Sequence, residues 1–293
     1  MTDPKTVLGV IGGSGLYGIP EFEVLEEMEL ETPFGRPSSP IVRGRIKGRE
    51  LFFLARHGKG HVLSPTEVPY RANIYALKSL GVNRLLSVSA VGSLRQDIEP
   101  GHLVLPDQVI DRTRGVREST FFGNGIVVHV ALADPFCTDF RKLVKTAADS
   151  SGASVHDGGT LVCMEGPQFS TRAESFMYRD LGASLVGMTV LPEAKLAREA
   201  SLCYATLALA TDYDCWHDGH DSVTVEAVLQ VMKGNAEKAR KTVVSLVELL
   251  DAPAECSCAS SLAYAVVTQP GAITKAACEP VKLLLEGQVE LDF

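Results

Sequence analysis

Short runs of aliphatic and β-branched residues alternate along the chain with stretches of helical apolar spacing. Val7-Leu8-Gly9-Val10-Ile11 predicts a strand, and Glu50-Leu51-Phe52-Phe53-Leu54-Ala55 predicts another. Between them Phe22, Val24, Met28 and Leu30 alternate with acidic residues, which is also strand spacing. Arg71 to Leu80 predicts a helix stopped by Gly81. A buried strand from Arg84 to Ala90 follows, and after the Pro100-Gly101 turn one more strand runs from His102 to Ile110. Asp134-Pro135 predicts a helix start, because Phe136, Phe140, Leu143, Val144 and Ala147 follow at helical spacing. Thr171-Arg172-Ala173-Glu174 has the form of a capping box whose helix ends at Gly182, and Pro192-Glu193 opens another through Leu196 and Ala200. Leu202 to Thr211 is a nearly continuous apolar run, as expected of a central strand. Ser222 to Leu250 gives the clearest helix, with Val225, Val228, Leu229, Met232, Ala236, Ala239, Val243 and Val247 on one side. Together these predict an α/β fold in which residues 1–250 form one domain. Residues 251–293 form a C-terminal tail that packs on the same domain or on a neighbouring subunit.

Composition narrows the function more than the fold. The 293 residues carry 28 Lys and Arg against 36 Asp and Glu, a net charge of −8, and contain no basic block. A nucleic-acid partner is therefore not expected, although one bound phosphate needs only local charge. The N-terminus lacks the basic-then-apolar pattern of a signal segment, and no run approaches the roughly 20 apolar residues of a membrane span. The expectation is a cytoplasmic protein with no membrane partner. Its seven cysteines are odd in number; four of them, in apolar or mixed segments, read as buried thiols, and Cys256-Ser257-Cys258 forms a separate C-x-C pattern.

Gly13-Ser14-Gly15-Leu16-Tyr17-Gly18 follows a strand and fits the dinucleotide pattern, but Pro20 and the strand spacing after it leave no room for the helix that pattern requires. What remains is either a tight glycine turn or a loop whose N–H groups and Ser14 hydroxyl hold a single anion. Arg56-His57-Gly58 lies just past a strand, where it is either a surface pair or a set of phosphate donors. Ser89-Ala90-Val91-Gly92-Ser93 is likewise a turn or a third anion contact. Thr211-Asp212-Tyr213-Asp214-Cys215-Trp216 ends the apolar strand with two carboxyl groups. Burial there is costly unless they bind something, and one held protonated can serve as a general acid. His217-Asp218-Gly219-His220-Asp221 reads as a solvated lid rather than a metal cluster, and no metal is expected.

Gly12-Gly13-Ser14-Gly15, Arg56-His57-Gly58, Gly166-Pro167-Gln168-Phe169-Ser170-Thr171-Arg172-Ala173-Glu174, Gly187-Met188-Thr189 and Thr211 to Trp216 occur in this order. Over about residues 7 to 250 the chain resembles the trimeric purine nucleoside phosphorylase family, in particular its branch acting on 5′-methylthioadenosine. The resemblance implies a phosphorylase/hydrolase-like fold, a mixed, partly closed β-sheet flanked by helices, in a homotrimer with a hexamer as alternative. It implies conversion of 5′-methylthioadenosine and phosphate to adenine and 5-methylthioribose 1-phosphate, a salvage reaction with phosphate as co-substrate and no cofactor. By motif, Ser14, Arg56, His57, Ser89 and Ala90 would hold phosphate, and Thr189 would bridge phosphate and ribose. Met188 would lie under the sugar and Phe169 near the purine. Asp212 and Asp214 would face the purine ring nitrogen and its 6-amino group. Val225, Val228 and Leu229 would line the methylthio pocket, and His129 would reach in from a neighbouring subunit. Taken singly, Met188, Phe169 and the helical trio are equally well ordinary core. Two aspartates favour a 6-amino over a 6-oxo purine, because a site built for one hydrogen-bond pattern leaves a buried group unpaired with the other.

Some features depart from the family pattern. Ser14 stands where many members of this branch carry Thr, and Gly187 and Val190 replace polar neighbours of the sugar. Cys256-Ser257-Cys258 resembles a redox element of archaeal members, but two free thiols are the expectation in a reducing compartment. The rivals are a phosphorylase of 6-oxopurine nucleosides or methylthioinosine, a hydrolytic nucleosidase, and a nucleoside-binding module without turnover.

Overall fold

The computed structural model describes residues 6–13, 16, 18–217, 225–251 and 256–289, and of 225–228 the backbone only. Eleven strands form one mixed sheet. They are β1 (Leu8–Gly12), β2 (Glu23–Met28), β3 (Ile41–Ile46), β4 (Arg49–Ala55), β5 (Arg84–Ser93), β6 (Leu103–Leu105), β7 (Gln108–Arg112), β8 (Val155–Asp157), β9 (Thr160–Met164), β10 (Leu185–Gly187) and β11 (Cys203–Asp212). Five helices flank it: α1 (Tyr70–Ser79), α2 (Thr138–Asp149), α3 (Arg172–Asp180), α4 (Val190–Glu199) and α5 (Val225–Leu249).

The sheet forks at β5. The first half of β5 pairs with β1, which continues through β4 and β3 to β2, and its last residues pair with β10, which leads to β9 and β7. Along its other edge β5 pairs with β11, and β11 with β6 and then β8. Strands β4, β1, β5 and β11 are parallel, and β1 and β11 are buried along almost their whole length, so both faces of this centre must be covered. Alternate side chains point to opposite faces. Val10, Leu86 and Leu207 join the apolar layer containing α2 and α5 residues, while Ile11, Leu85 and Ala208 join the layer of α1 and α4. Leu262, Ile273, Val281, Leu284 and Leu285 belong to this second layer. Val266 and Ala265 pair with the Val128–His129 backbone.

Two elements differ from their sequence expectation. The strand expected from His102 to Ile110 is two strands, because Pro106 supplies no N–H and the chain changes neighbours, from β11 and β8 to β9. The Asp107 carboxylate accepts from the Gly159 N–H (2.9 Å) at the break. The helix expected at Asp134-Pro135 begins at Thr138. Cys137 donates its N–H to the Tyr204 carbonyl (2.8 Å), which keeps the preceding residues out of the helix, and its sulfur caps the Phe140 N–H. The capping box is present in full: Thr171 Oγ1 accepts from the Glu174 N–H, and Glu174 Oε2 from the Thr171 N–H.

Candidate active site

Parallel pairing delivers the carboxyl ends of β4, β1, β5 and β11 to one rim, with Gly12 beside Ala55 and Asp212 beside Gly92. Ligands of α/β sheets bind beyond such ends, and a cavity of ≈ 550 Å³ opens there. Its wall carries Arg56, His57, Ser89, Ala90, Phe169, Met188, Thr189, Asp212 and Asp214, brought together from five separate sequence motifs. Ser14 and the side chains of Val225 and Val228 lie outside the described residues, although Gly13 beside Ser14 lines the cavity. Leu229 is exposed and not on the wall; the same helix supplies Met232 and Ala236 instead. His129 is also exposed and outside this cavity, its N–H donated to the Ala265 carbonyl.

The end of β11 builds a pair of carboxyl groups. A register shift between Ala210 and Asp212 lets the Thr211 hydroxyl contact both the Val91 carbonyl (3.2 Å) and Asp212 Oδ2 (2.7 Å). The chain then turns at Asp214, whose φ of 51° lies in the left-handed region that Asp tolerates better than most residues, and its N–H donates to Asp212 Oδ1 (2.8 Å). Opposite, glycine at residue 92 leaves room for the pair: a Cβ there would stand 3.0 Å from Asp212 Oδ1 and 3.3 Å from the Asp214 Cβ, and these neighbours would have to give way. Burial pushes both carboxyl groups above the usual range, against the bonds from Thr211 and the Asp214 N–H at Asp212. Asp214 Oδ2 is buried with no hydrogen bond of ordinary length among the described residues, although the Ser175 and Ser170 hydroxyls lie near enough to the carboxyl group to hold its pKa down. A buried acceptor of this kind is costly unless a donor meets it.

At the other side of the cavity Ser89 Oγ and Thr189 Oγ1 stand 3.3 Å apart. The neighbouring Arg56 is almost wholly buried, and most of its fork is used inside the protein. Nε and Nη2 donate to the two oxygens of Glu193 (2.8 and 3.0 Å), Nη2 also to Ser87 Oγ (2.7 Å), and Nη1 to the Val88 carbonyl (3.1 Å). At most the second N–H of Nη1 is left to face the cavity. His57 places Nδ1 2.8 Å from the Leu63 carbonyl, so that nitrogen carries the proton, and its ring stacks on His61 at 4.2 Å. Burial, with Arg56 adjoining, lowers the His57 pKa to about 4, leaving Nε2 an acceptor at neutral pH. Met188 packs on Gly166, where its sulfur occupies the space a Cβ would need (2.5 Å). Phe169 is half exposed at the cavity wall.

The profile described as "Phosphorylase superfamily" matches residues 7–248. The chain belongs to the phosphorylase superfamily. It is 53% identical to the S-methyl-5′-thioadenosine phosphorylase of Geobacter sulfurreducens, over 97% of this chain and all of that one. It is 54% identical to the enzyme of the same name from Chloroflexus aurantiacus, over 94% and 96% of the two chains. Among solved structures, a methylthioadenosine phosphorylase from an Antarctic soil metagenomic library superposes with a TM-score of 0.91 at 45% identity, over 97% of this chain and all of that one. A mutant adenosine/methylthioadenosine phosphorylase from Schistosoma mansoni, in complex with methylthioadenosine, superposes with a TM-score of 0.81 at 35% identity, over 97% and 99% of the two chains. The mixed sheet flanked by helices is the fold expected of the family.

Sequence reasoning missed the residues behind the site. Glu193 neutralises Arg56 and also accepts from the Tyr204 hydroxyl (2.8 Å), which in turn accepts from Thr206 Oγ1 (3.3 Å). The one available signal was an acid inside the apolar run Val190-Leu191-Pro192-Glu193-Ala194. His61, Ser64 and Pro65 on the wall carry no motif of their own.

Proposed function

We propose that this chain catalyses the phosphorolysis of S-methyl-5′-thioadenosine, giving adenine and 5-methylthioribose 1-phosphate. The observation that carries the reading is the aspartate pair at the end of β11, with the Asp214 Oδ2 acceptor buried and without a hydrogen bond of ordinary length among the described residues. A purine 6-amino group is a donor and a 6-oxo group is not, so the rival reading as a 6-oxopurine phosphorylase is disfavoured. The names and bound ligands of the relatives support the same substrate.

In this reading phosphate lies against Ser89, the Ala90 backbone, Thr189, His57 and the free edge of Arg56, with the Ser14 hydroxyl as a further donor to it. One phosphate oxygen bonds C1′ as the C1′–N9 bond breaks and its electron pair leaves with the base. The dianion stabilises the positive charge on the sugar. Asp212, whose pKa burial raises, gives a proton from its acid form to the purine ring nitrogen and regains it from solvent. No cofactor enters this sequence. Met188 underlies the ribose, Phe169 adjoins the base, and the methylthio end points toward α5, where Met232 and Ala236 line the cavity and Val225 and Val228 would complete it. In a homotrimer the exposed His129 would serve a neighbour's cavity; sedimentation at the mass of a single chain would remove it from the site. The family's salvage role and a cytoplasmic location belong to this same reading. Among the described residues no helix is long and apolar enough to cross a membrane.

The substitution Asp212→Asn tests the reaction. Turnover of methylthioadenosine should fall by about 10²–10⁴-fold, the range of a positioned general acid, with a relative gain on inosine. Unchanged adenine release would take Asp212 out of the mechanism.

A further inference from the structure

Away from the cavity, four of the seven cysteines converge. The sulfurs of Cys137, Cys203, Cys256 and Cys258 all lie within 4.8 Å of one another. They come from unconnected places: Cys137 caps the N-terminus of α2, Cys203 begins β11, and Cys256 and Cys258 follow α5 at the start of the tail. No pair is bonded, and Cys203 and Cys256 approach to 3.3 Å. Four sulfurs at the corners of a tetrahedron about one zinc ion, with Zn–S bonds of about 2.3 Å, stand about 3.8 Å apart. The observed set is therefore within a small contraction of that arrangement. An iron–sulfur cluster would set inorganic sulfide and further iron between opposite thiolates and needs a wider cage.

The surroundings suit thiolates. The Phe140 N–H points at the Cys137 sulfur (3.4 Å), and Arg198 Nη1 at the Cys258 sulfur (3.6 Å). Arg198 also donates through Nη2 to the Asp134 carbonyl (2.5 Å), which fixes its position beside the cluster. Three of the four cysteines are buried and the fourth is partly so, which shields such a centre from water.

We propose that Cys137, Cys203, Cys256 and Cys258 form a structural site for a single zinc ion, which pins the C-terminal tail to the body of the domain. Binding forms four Zn–S bonds and releases the four thiol protons; no electron is transferred. The site holds together three segments separated in sequence by more than fifty residues each, which makes its contribution one of fold stability. It does not take part in the reaction. Cys203 opens β11 and Asp212 closes it, so nine residue steps of roughly 3.3 Å put the two sites about 30 Å apart. The Cys256-x-Cys258 pair thus acquires a role that two free thiols would lack.

The full chain, purified without chelator from zinc-containing medium, should hold one equivalent of zinc by elemental mass spectrometry. After metal removal under reducing conditions, Co²⁺ alone should bind stoichiometrically and give the visible bands of a tetrahedral tetrathiolate. Cys256→Ser and Cys258→Ser should each lose the zinc and unfold at lower temperature, whereas Cys278→Ser, elsewhere in the tail, should keep both. Chelation should shorten the half-life of heat inactivation while leaving initial adenine release unchanged. Three results would overturn the proposal: an intact mass four hydrogens light, meaning two disulfides; seven titratable thiols with no uptake of added Zn²⁺ or Co²⁺; or iron in place of zinc. The wild-type metal and thiol measurements decide it even if a serine variant does not fold.

Discussion

The chemistry of the site turns on protonation states that burial sets at single residues. Asp212 and Asp214 are both pushed toward their neutral forms, and their neighbours divide the roles: Asp212 is held by Thr211 and the Asp214 N–H, while Asp214 keeps an oxygen without a hydrogen bond of ordinary length among the described residues. His57 is displaced in the opposite sense for the same reason, since desolvation disfavours its cation. With a folded pKa near 4 against the usual 6.5, the unfolded chain binds a proton at His57 between those values and the native chain does not. The associated stability is therefore present above pH 6.5 and is lost as pH falls toward 4. In an NMR titration His57 should stay neutral down to about pH 4 without phosphate and titrate higher when the dianion binds beside it. A value near 6.5 in the free protein, or none of that rise with phosphate, would contradict its place at the anion. The positions of Asp212, His57 and Ser89 were legible because each lies toward or just past the carboxyl end of a strongly apolar strand, where an α/β sheet presents chemistry. Their protonation states were not legible, because burial depends on what the remainder of the chain stacks against them.

Elements explain both what the sequence revealed and what it concealed. The capping box of α3 and the apolar run of β11 are local patterns, and both stand where they were expected. The break between β6 and β7 was hidden because Pro106 acts only once β11, β8 and β9 compete for the two halves. The late start of α2 was hidden in the same way, since it depends on a bond from Cys137 to the carbonyl of Tyr204 in β11. The link between β4 and α4 is likewise non-local: Arg56 follows one and Glu193 lies on the other. Substituting Glu193→Gln leaves a buried guanidinium without its counter-charge. Loss of one partner from such a pair costs about 3–5 kcal/mol, so urea unfolding of the variant should show a comparable fall. A fall below about 1 kcal/mol, the range of a surface pair, would mean that Arg56 is neutralised by something other than Glu193.

At the scale of the molecule, β5 is the member around which the site is organised. It pairs with β1, β10 and β11, and through them it sets Arg56 and His57, Met188 and Thr189, and the aspartate pair around one cavity. Alternation of strands and helices was enough to read the fold class. The fork itself, the approach of Cys137 and Cys203 to Cys256 and Cys258, and the packing of Leu262 to Leu285 all depend on contacts between distant segments, which periodicity does not encode. We propose that this assembly transfers a nucleoside's sugar to phosphate. This transfer is tested most directly by following adenine release from S-methyl-5′-thioadenosine, with adenosine and inosine alongside, in phosphate and in phosphate-free buffer. Release should require phosphate and be fastest from the methylthio substrate; release indifferent to phosphate, or a preference for inosine, would contradict this reaction.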